Sequence, residues 1–437
     1  MENSIWTENL TLPQFAPLDG ELRTDVLIVG GGMAGLLCAH ALQEAGVDYR
    51  LIEGDRILHG VTRNTTAKIT SQHGLVYHKL LRRFGAEKVQ QYFRANEQAL
   101  ERYAILAQNM DCDFQWQDNI VYATDFTDAL VEEMTALEEL GIPAEFVDHM
   151  GLPMKTAGGV RFRNQAQFHP LKFASAIAKD LRIYEQTSAK AFVGNTVQTN
   201  RGTITAKKII IATHFPMINK HGAYFLKMYQ SRSYVLALEN APMVDGMFVD
   251  ESDKGLSFRN YGDLLLLGGG GHRTGKPGGG WKVLEDFAKQ HYPDAKIRSR
   301  WATQDCMTLD DLPYVGQYSS RTPDLYVATG FNKWGMTNSM VAAQVLCDLV
   351  QGRENDYADL FSPSRSILRP QLACNAMEAV KSLLTFTKPR CPHMGCALHW
   401  NQQEHSWDCP CHGSRFTQDG KLLDNLATDD LKTGRSG

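Results

Sequence analysis

The sequence has no surplus of positive charge. Lys and Arg number 45 against 49 Asp and Glu, a formal net charge of −4, and no basic stripe runs along any segment, so nucleic acid is not an expected partner. A long apolar run is missing as well. The most apolar stretch, Val26 to Leu42, is interrupted by four glycines, and its turn signals rule against a transmembrane segment. The opening residues, MENSIWTENLTLPQF, have neither the basic start nor the apolar run of a secretory signal, and a cytoplasmic location is expected. No low-complexity tract argues for disorder and no internal repeat is seen, so 437 residues leave room for roughly two or three packed domains.

Cysteine is sparse over most of the chain. Cys38, Cys112, Cys306, Cys347 and Cys374 are scattered, as suits reduced thiols in a reducing compartment. The other four, Cys391, Cys396, Cys409 and Cys411, crowd into one short stretch. Such crowding points to metal before it points to a disulfide framework.

The hydrophobic pattern predicts a βαβ start, with a strand over 24–30, a helix over 33–45 and a strand over 48–53. Two helices are expected between Leu75 and Met110, strands at 114–124 and 160–168, and helices near 127–140 and 171–182. Strands over 203–213, 231–238, 262–268 and 324–329 follow, then a helix over 335–351. A βαβ start with a late return strand implies α/β architecture with two interleaved domains. Residues 353–388, with their prolines, charges and one amphipathic helix, read as a connector to a small C-terminal module.

That module carries CPHMGC at 391–396 and CPCHGSRF at 409–416. Read as ligands, Cys391, His393, Cys409 and His412 supply two thiolates and two imidazoles. An asymmetric [2Fe–2S] centre needs this set: thiolates hold one iron and neutral imidazoles the other, which raises the potential. Structural zinc uses the same donors, but it does not call for the extra cysteine pair or the Gly-Ser after the last His. The tail resembles the high-potential branch of the Rieske family. That resemblance implies a Cys396–Cys411 disulfide and a hydroxyl, that of Ser414, on cluster sulfur. Phe416 stands where that branch usually has Tyr, so a potential below the top of the Rieske range is expected. Only about fifty residues surround the loops, too few for a complete Rieske sandwich, and a truncated subdomain braced by the rest of the chain is expected.

At the other end, Gly30-x-Gly32-x-x-Gly35 follows a predicted strand and opens a predicted helix, and Glu53 closes the next strand. Glycines there permit a tight turn and close approach to a pyrophosphate on the helix N-terminus, and Glu53 would accept from a ribose hydroxyl. The glycine-bounded turn in ATGFNKWGMTNS, 328–339, opens a second helix whose N-terminus can meet a flavin ring edge. Together with WATQDCMTLDDLPYVG (301–316) and IATHFP (211–216), these segments resemble the D-amino-acid-oxidase-like FAD oxidoreductases over about residues 20–355. The RNTTAK loop at 63–68 and FHPLKF at 168–173 are similar to the bacterial branch with a C-terminal Rieske module. The resemblance implies FAD contacts at Gly30, Gly32, Gly35, Glu53, Gly330, Gly335, Met336 and Thr337. A second glycine cluster, GGGGH at 268–272, matches no GxGxxG frame. It reads as a turn or substrate-side loop, followed by RTGKPGGG, which cannot start a helix cleanly. Without a second fingerprint, NAD(P)H is not the expected reductant.

The expected division is an FAD oxidoreductase over 1–355, a helical connector over 356–387 and a truncated Rieske module over 388–437. Cofactor-binding parts lie at about 20–85, 155–217 and 300–355; an antiparallel-sheet substrate domain takes 86–154 and 218–299. The superfamily implies C–N oxidation of an amine or amino acid, with electrons then leaving singly through the cluster to an external acceptor. The alternatives are a reversed flow, from a ferredoxin-like donor through the cluster to a flavin that reduces substrate or activates oxygen, and a non-catalytic redox relay or sensor. Thr66, Lys68 and Lys333 are flavin-side candidates by motif placement. Arg259 and Tyr261, on the presumed substrate sheet, are candidates to meet a carboxylate, and His169 reads as a packed turn residue.

Overall fold

The computed structural model describes residues 3–431 except 219–220, 253, 367–369, 386–388, 425–426 and 428. The strand β1 (Gly20–Val29) ends in a run buried on both faces, Val26 to Val29, which suits only the interior of a sheet covered on both sides. It lies parallel between Gly202–Ile211 and β2 (Tyr49–Ile52). The order continues to Leu325–Thr329 and Tyr314–Gln317 on one side and to Ile183–Tyr184 on the other. Helix α1 (Met33–Glu44) crosses from β1 to β2 and packs on the late helix Gly335–Val350. Close packing at the crossing requires Gly35, because a Cβ there would lie 1.9 Å from the Gly30 carbonyl oxygen.

A second, mostly antiparallel sheet runs Lys296–Thr308, Met228–Glu239, Leu264–Arg273, Ser257–Tyr261, Met247–Asp250, Gln115–Ala123, Gly158–Gln167 and Lys68–Ile69, with Glu145–Val147 on its side. Three of these strands, Lys68–Ile69, Gly158–Gln167 and most of Lys296–Thr308, fall within stretches expected on the cofactor side. Gly158–Gln167 pairs with Gln115–Ala123, and Lys296–Thr308 with Met228–Glu239. An apolar run marks a buried strand but does not say which sheet it joins.

The GGGGH run also departs from expectation. It lies inside the strand Leu264–Arg273, not in a turn. Its glycines allow close approach: a Cβ on Gly270 would stand 2.6 Å from the Gly280 oxygen, and one on Gly269 2.8 Å from Leu256 Cδ2. RTGKPGGG does lead into a helix, Trp281–His291, whose N-cap is Gly280 at φ +91°. Positive φ at the cap is what the run of glycines supplies.

After the helix Pro370–Leu384, the C-terminal module folds as four short antiparallel strands, His399–Asn401, Ser406–Asp408, Arg415–Thr417 and Leu422–Asp424. Among the described residues no helix is long and apolar enough to cross a membrane.

Candidate active site and cluster centre

A cavity of about 540 Å³ runs from the N-terminus of α1 to the N-terminus of Gly335–Val350, between the two large sheets. Gly30, Gly31, Gly32, Glu53, Thr66, Lys68, Lys333, Gly335 and Met336 line it. Neither helix is closed by a side chain from its N-cap residue, Gly32 or Trp334; the Met33 N–H donates to Thr62 Oγ1 at 3.1 Å, and both helices turn positive dipole ends to the same space. A Cβ on Gly32 would meet only Thr62 Oγ1, at 3.5 Å. The space in front of that turn is therefore open, as a pyrophosphate requires. Glu53 Oε2 accepts the Gly31 N–H at 2.7 Å and Oε1 the Asp55 N–H at 3.0 Å, while burial raises its pKa. These features fit FAD.

Three other motif residues act one layer back. Gly35 lets the helix cross. Gly330, at φ +73°, leaves room for Thr308, whose Cγ2 would lie 2.4 Å from a Cβ. The Thr337 hydroxyl donates to the Thr70 oxygen at 3.1 Å and meets His73 Nε2 at 2.9 Å. Burial pushes His73 down to about 3, and its neutral ring stacks on Trp334 in the cavity wall.

Lys68 is buried beside Thr66, Nζ to Oγ1 3.4 Å. Burial, then the nearby Arg259, lowers its pKa to about 7. Arg259 and Tyr261 do not line the cavity. They share a strand face with Ser257, which does, but lie further along it, beneath the 63–68 loop. Arg259 donates to the Thr66 and Ala67 oxygens at 2.6 and 2.8 Å, and Tyr261 donates to Asp113 at 2.9 Å. Both brace structure there. His169 is a packed turn residue as expected: it caps Pro170–Ala178, accepting the Lys172 N–H at 3.2 Å.

Sequence reasoning missed Asp305, Gln304 and His214, all in the cavity wall. Burial pushes Asp305 up to about 6, against the pull of Lys333 and Arg232. His214 Nε2 is buried without a hydrogen-bond partner, and burial lowers its pKa. A signal existed: Thr303, Gln304 and Asp305 put three polar residues in a strand that is otherwise half-buried.

At the far end of the chain, the two ligand loops fold alike. The Cys391 N–H donates to Cys396 O and the Gly395 N–H to Cys391 O; the Cys409 N–H donates to Ser414 O and the Gly413 N–H to Cys409 O, all at 2.9 Å. Gly395 and Gly413 take φ +74° and +84°. The turns bring Cys391 against Cys409, which with burial pushes the Cys391 thiol well up; iron would reverse that, since a coordinating thiol is deprotonated outright. The His393 and His412 rings stand 5.1 Å apart. Burial, His393 and Arg273 hold His412 neutral, down to about 3, with its buried Nδ1 making no hydrogen bond. Neutral imidazole with a bare nitrogen is the ligand form, so the donor set fits the cluster. The sulfurs of Cys396, Cys409 and Cys411 lie within 4.8 Å of one another, unbonded here. The Ser414 hydroxyl reaches Cys391 and accepts the Ala427 N–H at 3.0 Å.

Comparison with known proteins identifies both regions of the chain at the level of family. Residues 25–349 match the model of the FAD dependent oxidoreductase family, and residues 377–434 that of the Rieske [2Fe-2S] domain. The chain is 31% identical to the putative Rieske 2Fe-2S iron-sulfur protein YhfW of Bacillus subtilis (strain 168), over 98% of this chain and 97% of that one. It is 24% identical to the gamma-glutamylputrescine oxidoreductase of Escherichia coli (strain K12), over 83% and 93%. Among solved structures, glycine oxidase from Geobacillus kaustophilus superposes with a TM-score of 0.67 at 20% identity, covering 79% of this chain and 99% of that one.

Proposed function

Because the chain belongs to the FAD-dependent oxidoreductase family and carries a Rieske [2Fe–2S] domain, we propose that it oxidises a C–N bond of a small amine or amino acid and delivers the electrons singly, through the cluster, to an external acceptor. One observation carries this reading: Leu422, Asp424 and Ala427 of the cluster module stand in the wall of the same cavity as Gly32, Glu53 and Gly335. A module packed into that wall has the proximity that electron exchange demands.

When bound, FAD supplies a hydride acceptor and the cluster a one-electron carrier. The chain's own residues do the rest. Gly32 leaves the space a pyrophosphate would enter, Gly30 and Gly31 let Ala212 and Ile57 close on the turn behind it, and Gly335 and Met336 offer N–H groups to the flavin ring edge. The substrate amine must lose its ammonium proton before hydride leaves carbon. Asp305 and Lys68, shifted to about 6 and about 7, are the wall groups poised to take that proton near neutral pH.

The test is an anaerobic amine and amino-acid screen on holoprotein, followed by visible absorbance and EPR. Flavin bleaching with appearance of the reduced-cluster signal is expected for the true substrate class. Cluster reduction by a ferredoxin, with no amine or amino acid bleaching the flavin, would reverse the assigned direction.

A further inference from the structure

We propose that Gln304 couples the flavin cavity to the cluster, with His412 as the inward ligand and His393 as the outward one. This rests on the reading above and adds the route. Gln304 is 4% exposed and stands in the cavity wall. From there its Nε2 donates to the Gly413 oxygen at 2.9 Å, and its Oε1 accepts from the Thr274 hydroxyl at 3.0 Å. Gly413 directly follows His412. One side chain thus spans the wall of the flavin site and the loop that carries a cluster ligand, one residue beyond His412.

The two ligand loops are held very differently. The 409–414 loop is clamped by the body. A Cβ on Gly413 would fall 2.2 Å from Gln230 Cγ, one on Gly275 would fall 2.5 Å from Pro410 N, and Arg273 Nε donates to the Pro410 oxygen at 3.3 Å. His412 is 3% exposed, edge-on to Phe225. The 391–396 loop instead leans on the helix Pro370–Leu384, through the Ala397 N–H to Ser382 O at 3.1 Å. His393 is half-buried between exposed Pro392 and Met394. Side-chain clamps that orient a metal ligand govern the metal's behaviour as much as the ligand itself does. The clamped, dry loop is the one facing the flavin; the loose, wet loop is the one an outside partner can reach.

With both groups bound, the reduced flavin would supply one electron and the iron that His393 and His412 would hold would accept it, passing from ferric to ferrous. No bond forms or breaks between the two centres. Gln304 acts as a positioning residue.

The experiment is flash reduction of the flavin in anaerobic holoprotein with a photochemical donor, following cluster bleaching, on wild type and Gln304→Leu. EPR of dithionite-reduced samples runs alongside. The expected result is an unchanged cluster g-tensor with transfer slowed on the order of tenfold, the usual scale for losing a group that orients a ligand. Should Gln304→Leu lose its cluster, Thr274→Val decides: slowed transfer supports the assignment, and wild-type transfer overturns it. Equal rates in wild type and Gln304→Leu, with the cluster intact, overturn the coupling role and leave the proposed function standing. No flavin-to-cluster transfer in wild type overturns both.

Discussion

The flavin cradle and the cluster module hold their groups with different materials. The cradle is mostly backbone: three glycines, two helix ends that their own N-cap residues leave unclosed and a carboxylate tied by two N–H groups, set in a core that spans both large sheets. The module is side chains. Its buried apolar cluster, among the described residues, is Cys391, Cys396, Leu398, Cys409, Cys411, Phe416 and Ala427, so most of its core is cysteine. A region that small cannot be stabilised by apolar burial alone. It leans instead on the metal ligands and on buried ion pairs: Arg415 reaches Glu404 at 2.7 Å and both Asp408 and Asp424 at 3.0 Å, and Arg232 of the body also grips Glu404. The cradle is thus expected to outlast the loss of its cofactor, and the module to depend on its own.

The largest effect follows from the ligands. Cys409→Ser is expected to abolish iron and sulfide content and expose the module to protease, while the flavin spectrum persists. Loss of flavin in the same variant would show that the two regions are one cooperative unit. Next comes the ion network. Arg415→Met leaves buried Asp408 without its arginine and half-buried Asp424 and Glu404 with Arg232 alone, which costs about 3 kcal/mol. Limited proteolysis with and without denaturant should place that loss in the module. A shift of the whole molecule's unfolding would instead make Arg232–Glu404 a true interdomain strut.

A smaller effect is expected from Gly32→Ala. Since the new methyl meets no protein atom closer than 3.5 Å, the fold stands and only the approach of a pyrophosphate is hindered. A contact penalty of about 2 kcal/mol, roughly thirtyfold in FAD affinity, is expected, read by titrating FAD into deflavinated protein, with cluster EPR unchanged.

The same contrast explains what the sequence disclosed. Ligands chosen for their atoms are legible as letters, so Cys391, His393, Cys409 and His412 stood out from spacing alone. The first strand, its helix and Glu53 were legible because a tight turn needs glycine whatever surrounds it. Arg259 and Tyr261 do not line the cavity, because membership of a sheet does not give a residue's distance along its strand from a cavity. Asp305 and Gln304 were invisible for a related reason. Their roles arise only when Lys296–Thr308 pairs with Met228–Glu239 and the tail packs behind them, contacts separated by about a hundred residues of chain. The strand GGGGH was taken for a turn because its glycines serve a neighbour's backbone, not their own φ alone.

The smallest effect separates the regions by charge. In the module each buried carboxylate meets an arginine; in the cavity wall Asp305 is raised from 3.8 to about 6 chiefly by burial. The folded state therefore favours the protonated acid, whereas the unfolded chain releases that proton near pH 4. Between those values the unfolded state binds fewer protons, so stability falls as pH rises and the penalty stays constant above about pH 6. The full shift, in which the pull of Lys333 is already included, corresponds to about 3 kcal/mol, and screening by water in an open cavity cuts it to about 1 kcal/mol. Asp305→Asn should then raise the denaturation midpoint of the body at pH 7.5 and leave it nearly unchanged at pH 4.5. Equal midpoints at both values would mean that Lys333 fully compensates the charge, and that the cavity wall manages its acid as the module manages Glu404, by pairing it.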